Sequence, residues 1–166
     1  RRQRQMCIRD RGEDGDPAHA SGLGLSDKVR EYAAFVGDTA AEYNIHEYEK
    51  YLLAIMMVES GGEGNDPMQS LGNSGLTEEE KTPSESIKAA VAYFAMLLQK
   101  ADTLGCDLDT VIQAYNYGAG YIDYVSARGK THTFQLSCDF ASSKCGGRKV
   151  RYDNPVAVSY THLRAH

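Results

Sequence analysis

Two carboxylates seven positions apart, Glu59 and Asp66, are the residues of this chain best suited to acid–base chemistry. Glu59 closes the stretch 51–58 (YLLAIMMV), which is apolar all round, and is followed by Ser60 and the break Gly61-Gly62. Its carboxyl is therefore expected to be half withdrawn from water. Partial burial disfavours the charged form of a carboxylic acid, and a glutamate held towards its protonated form can serve as a general acid. The plain alternative is a solvent-facing glutamate at a helix end, although a negative charge at a helix C-terminus opposes the helix dipole. Asp66 falls in the loop 61–70 (GGEGNDPMQS), where Pro67 restricts its backbone to extended conformations. The sequence predicts a solvated carboxylate there. One buried and one solvated carboxyl near a cleft are the usual equipment for cleaving a glycosidic bond, while Asp-Pro is equally ordinary turn chemistry.

Other residue types support or limit that chemistry. Tyr115-Asn116-Tyr117, then Tyr121 and Tyr124 beyond Gly118-Ala119-Gly120, concentrate flat amphipathic rings at a helix end. Such rings suit sugar faces, and Asn116 offers both a donor and an acceptor, although tyrosines at a helix junction also serve plain packing. Met68 is expected to fill core, with Gln69 and Ser70 as polar loop residues. Away from the extreme ends, His19, His46 and His132 are scattered without ligand spacing, so no metal and no cofactor is expected. The run KCGGRKVR at 144–151 reads as a solvated basic tail, suited at most to touching an anionic polymer.

The elements that must position these residues read as helices. Ser26 can cap a helix on which Val29, Ala33, Val36 and Ala40 recur at helical spacing. A second helix over residues 47–60 is apolar on most sides and is expected to be the central, buried one. Thr82-Pro83-Ser84-Glu85 combines an N-cap, a proline at the first helical position and a capping-box glutamate. The helix it opens carries Ile87, Val91, Phe94, Leu98 and Ala101 on one stripe. Shorter helices are predicted over 109–117, 121–127 and 134–144, with no strand pair and no internal repeat. The fold class is mainly α.

Composition bounds the function. The chain has 166 residues, 42% hydrophobic and 25% charged, enough for one domain, and no apolar run approaches the roughly 20 residues of a membrane-spanning helix. The ends stand apart. Residues 6–10 (MCIRD) and 158–162 (VSYTH) can be encoded by complementary strands, as an inverted repeat flanking a DNA fragment would produce. Residues 1–11 and 158–166 therefore read as translated sequencing adapter, 12–25 as a Gly-, Asp- and Ala-rich linker, and 26–157 as the folded domain. Residues 12–157 hold 12 basic and 22 acidic side chains, net −10, which argues against nucleic-acid binding. Cys106, Cys138 and Cys145 are an odd set, read as buried or idle thiols, with a bridge from Cys106 as the lesser option.

The ordered set Glu59-Ser60, Pro67-Met68-Gln69 and Ala114-Tyr115-Asn116 resembles the three motifs of the lytic-transglycosylase and goose-type-lysozyme superfamily. Phrases such as LLAIMMVESGGEGNDPMQS, SIKAAVAYFAMLLQKA and DTVIQAYNYGAGYIDYV are more similar still to the lysozyme-like domain of CwlT-type bifunctional cell-wall hydrolases of Gram-positive bacteria and their conjugative elements. The resemblance covers about residues 26–155. It implies a compact lysozyme-like helical domain that cuts peptidoglycan between N-acetylmuramic acid and N-acetylglucosamine, with Glu59 as general acid and Asp66 assisting. Ser60, Gln69, Ser70, Tyr115, Asn116, Tyr117 and Tyr121 would line the sugar cleft. It also implies a secreted or wall-facing location, a monomer, and an NlpC-type peptidase domain further along the polypeptide. Asp66-Pro67 stands where transglycosylases have Gly-Leu, which favours a muramidase over an enzyme giving 1,6-anhydro products. The alternatives from other classes are a catalytically silent glycan-binding module and a helical interaction domain.

Overall fold

The computed structural model describes residues 24–144, which fall into two compact units divided after Met96. The end segments 1–11 and 158–166, most of the linker, Cys145 and residues 145–151 of the basic run lie outside the described residues. Among the described residues every regular element is helical, and none is long and apolar enough to cross a membrane.

In the first unit, the single helix expected from Ser26 onward is two. Helix α1 spans Asp27–Glu31 and α2 spans Ala33–Glu42. The break falls at Tyr32, whose N–H tightens onto the carbonyl of Val29 at 3.1 Å before α2 restarts from its own carbonyl. The predicted cap is present, with Ser26 Oγ accepting from Val29 N–H at 3.1 Å. Val29, Val36 and Ala40 are fully buried along one stripe. After a 3-10 turn at His46–Tyr48, helix α3 covers Glu49–Glu59, starting two residues later than the periodicity suggests. It packs against α1 and α2, and five consecutive residues, Leu52, Leu53, Ala54, Ile55 and Met56, are buried. Burial of a large aliphatic side chain stabilises by about 2 kcal/mol, so α3 is held by its packing and not by its helix propensity.

Helix α3 stops because the next residues leave the helical region. Gly61 takes φ +67° and donates to the carbonyls of Met56 and Met57, satisfying two helix-end acceptors. Gly62 follows at φ +87°, pressed against the start of α1; a Cβ there would lie 3.0 Å from Val29 N and 3.1 Å from the carbonyl carbon of Lys28. The backbone of α1 cannot yield without losing its cap. Gly62→Ala should therefore destabilise by about 2 kcal/mol, through left-handed strain and overpacking together. Urea unfolding measures this, and an unchanged midpoint would refute the close approach.

Helix α4 runs over Pro83–Leu104 and contributes to both units. At its start Thr82 Oγ1 accepts from Glu85 N–H at 3.3 Å and donates to the Glu85 carboxylate at 2.9 Å, a variant of the expected capping box. Its buried stripe is Ile87, Ala90, Val91, Phe94, Leu97 and Ala101. Leu97 takes the core place expected of Leu98, because the stripe steps by three residues after Phe94 instead of four.

The second unit comprises the end of α4 with α5 (Leu108–Tyr117), α6 (Gly120–Ser126) and α7 (Phe134–Lys144). Helix α6 packs on both α5 and α7 around Val111, Ile112, Ala114, Tyr121, Ile122, Val125 and Phe140. Cys106 and Cys138 are half-buried free thiols. Burial pushes both thiols up from their ordinary range, with Asp107 and Asp139 respectively adding to it, which favours the protonated form.

Candidate functional site

The end of α3 and the loop that follows build the first group of predicted residues. Glu59 is the last helical residue and is half-buried, as its place behind an all-apolar helix implies. The Ser60 hydroxyl donates to the carbonyl of Pro67 at 2.7 Å and accepts from Gly62 N–H at 3.0 Å. That bond closes the loop on the residue next to Glu59. A second hydroxyl, Ser26 Oγ, donates to the carbonyl of Gly61 at 2.6 Å and ties the same turn to α1.

Asp66 corrects an expectation. It is 8% exposed, not solvated. Its Oδ1 accepts from Ser70 N–H at 3.0 Å and from Ser86 Oγ at 2.6 Å, and its Oδ2 accepts from Leu71 N–H at 3.1 Å. The physical reason is a chain reversal: residues 67–71 fold back over Asp66, aiming two backbone N–H groups at its carboxylate while α4 supplies the third donor. Buried polar groups need such partners, and here both sides of each pair are satisfied. Gln69 adopts φ +51°, an uncommon backbone for a non-glycine, and donates from both its N–H and its side-chain amide to the Asp66 carbonyl, at 3.0 and 2.8 Å. Gln69 itself is exposed and Ser70 half-buried, while Met68 is fully buried core, as expected.

The second unit holds the tyrosine group. Asn116 is exposed on the last turn of α5, and Tyr115 and Tyr117 are half-buried. Tyr117 stacks on Phe140 with ring centroids 5.5 Å apart. Tyr121 departs from the expected sugar-lining role, since it is 0% exposed and packs edge-on against Tyr117 and Phe140 at 5.3 and 5.1 Å. Its hydroxyl lies 2.8 Å from His132 Nδ1, inside the unit. The α6 periodicity places Tyr121 beside Ile122 and Val125 on the inner face, so it serves the core and has no face left for a glycan.

Sequence did not single out Asp107, and read His132 only as a histidine without ligand spacing. Asp107 caps α5, accepting from Thr110 N–H at 3.1 Å, and also accepts from His132 N–H at 3.1 and 3.2 Å. The cap was readable from Asp107-Leu108-Asp109-Thr110; the tie to His132, 25 positions on, was not. Burial pushes the His132 imidazole below its ordinary 6.5, against the opposing pull of Asp107 and Asp109. The folded state then binds fewer protons on this ring than the unfolded chain does. Its contribution to stability is present above pH 6.5 and is lost as pH falls through 6.5 towards the lower folded value. Unfolding by urea at pH 7.5 and 5.5 should show this acid-side loss, and His132→Gln, which keeps a partner for Tyr121, should diminish it. An identical pH dependence in the variant would assign the effect elsewhere.

With this geometry in view, the similarities to known proteins are specific. The sequence model described as lysozyme-like matches residues 26–165. An uncharacterized membrane protein of Bacillus subtilis, YocA, is 34% identical over 82% of this chain and 65% of its own length. The bifunctional muramidase/DL-endopeptidase CwlT of the same organism is 32% identical over 72% of this chain and 36% of its own. A solved Staphylococcus aureus structure, described as similar to lipoprotein and of the NLP/P60 family, superposes with a TM-score of 0.74 at 42% identity, covering 85% of this chain and 48% of that one. The chain thus spans about two thirds of the first relative and half or less of the other two.

Proposed function

Since the chain belongs to the lysozyme-like family, we propose that it is a peptidoglycan hydrolase that cleaves the glycosidic bond between N-acetylmuramic acid and N-acetylglucosamine. The observation that carries this reading is Glu59, half-buried at the end of a packed helix and followed at once by a serine that locks the next loop. Glu59 is the general acid: its proton passes to the glycosidic oxygen as the bond from C1 breaks, and water then bonds through its oxygen to C1 while its released proton restores the Glu59 carboxyl. Asp66 assists from within the loop by holding its shape, since Ser70 N–H, Leu71 N–H and Ser86 Oγ all donate to its carboxylate. Ser60, Gln69 and Ser70 are assigned to glycan contact and to orienting the acid, and Tyr115, Asn116 and Tyr117, within the second unit, to glycan contact. Tyr121 is not. The scheme calls for no cofactor.

The setting is part of the same proposal: a monomeric, wall-facing domain whose polypeptide also carries an NlpC-type peptidase. CwlT's description as a muramidase/DL-endopeptidase and the staphylococcal neighbour's NLP/P60 description support the peptidase part of it. The test is to incubate the protein with purified peptidoglycan and weigh the released muropeptides. Reducing-end muramic acid is expected. Anhydro-muramic ends, lighter by one water, would make it a lytic transglycosylase, and binding to sacculi without release would make it a glycan-binding module.

A further inference from the structure

Ser86 lies outside the three short motifs, yet its hydroxyl and its carbonyl together make three hydrogen bonds to the candidate site's loop. It is the fourth residue of α4 and is 0% exposed. A hydroxyl taken wholly out of water is costly unless its hydrogen-bonding capacity is used. Here it is used on the loop: Ser86 Oγ donates to Asp66 Oδ1 at 2.6 Å and accepts from Met68 N–H at 3.0 Å. The Ser86 carbonyl in addition accepts from Ser70 Oγ at 2.7 Å. Three loop residues are thereby referred to one point on a 22-residue helix.

The other end of the loop is tied by Ser60, the neighbour of Glu59, to the Pro67 carbonyl. The segment carrying the exposed Gln69 and half-buried Ser70 is thus tied both to α4 and to the residue that follows Glu59. We infer that Ser86 is a positioning residue for the candidate site, its hydroxyl setting the Asp66–Leu71 segment, with Gln69 and Ser70, of the loop that follows Glu59. The inference rests on the proposed hydrolase reading for its catalytic consequence, but not for its structural one.

The experiment compares Ser86→Ala and Ser86→Thr with the parent chain in two measurements. In hydrogen exchange, Ser86→Ala should speed the Met68, Ser70 and Leu71 amides about tenfold, while amides of the buried part of α3 keep their protection. In peptidoglycan digestion, scaled to the folded fraction, Ser86→Ala should lower kcat about tenfold or more with little change in KM, and Ser86→Thr, which retains the hydroxyl, should recover most of it. Parent-like exchange at those three amides overturns the inference, as does parent-like kcat in Ser86→Ala. A merely structural serine would lower the folded fraction and leave turnover per folded molecule unchanged. Should the parent chain release no muropeptides, the hydrolase reading falls, and the exchange measurement still decides whether Ser86 sets the loop.

Discussion

Glu59→Gln should abolish muropeptide release while leaving the fold intact. The amide has nearly the shape of the carboxyl but no proton to give at the glycosidic oxygen, and a positioned general acid contributes about a hundredfold to ten-thousandfold in rate. Stability should change by less than about 1 kcal/mol, since Glu59 is the last residue of α3 and only half-buried, outside the run from Leu52 to Met56 that anchors the helix. The two readouts are muropeptide mass spectra and thermal unfolding of the same preparations. Substantial activity in a well-folded Glu59→Gln variant would sink the assignment of the acid. Loss of both activity and folding would show instead that Glu59 is needed to end α3.

Asp66→Ala should give the opposite signature, a large loss of stability. The substitution strands three donors, the N–H groups of Ser70 and Leu71 and the hydroxyl of Ser86, beside a carboxylate-sized void. Each stranded buried donor costs about 1–3 kcal/mol, and some relief comes from water entering the space. A net destabilisation of about 3 kcal/mol is expected, a drop in Tm of about 10 °C for a domain of this size. Asp66→Asn should fall between, because its amide oxygen can still accept while its NH2 group opposes the N–H of Leu71 or a second donor. Melting curves for the three proteins provide the test. A Tm for Asp66→Ala within about 2 °C of the parent would mean that the hydrogen bonds around Asp66 carry little, and would return the residue to consideration as a reacting carboxylate.

The contrast between these two carboxylates shows what was legible and why. The environment of Glu59 follows from its own neighbours: eight apolar residues before it and two glycines after it define a buried helix and its stop. Asp66 has an equally suggestive local context, Asn65-Asp66-Pro67, which reads as an open turn. Its burial comes from Ser86, 20 positions on, and from a left-handed Gln69 that reverses the chain. Neither is encoded by a local pattern, since glutamine gives no signal for positive φ and a serine in the first turns of a helix usually faces water. Tyr121 fails in the same manner. Its spacing from Tyr117 and Tyr124 is compatible with an exposed aromatic face, and only the packing of α6 on α7 through Phe140 turns the ring inward.

Helix identity was the part carried by local sequence. Apolar residues at helical spacing, the Ser26 and Thr82 caps and the glycine breaks locate the helices to within a residue or two, because capping and amphipathic burial act over one or two turns. The split at Tyr32, the late start of α3 and the exchange of Leu97 for Leu98 are small shifts at the limits of that range. The sequence by itself also determined the family, through three short motifs in order, and the acid candidate within it. Only the tertiary structure decided which polar residues are inside: it placed Asp66, Ser86 and the Tyr121 hydroxyl in the interior and left Gln69 and Asn116 outside. The reason is that a polar group enters a core only where a partner from a distant segment meets it, and such meetings are properties of the packed chain, invisible to any window of neighbouring residues.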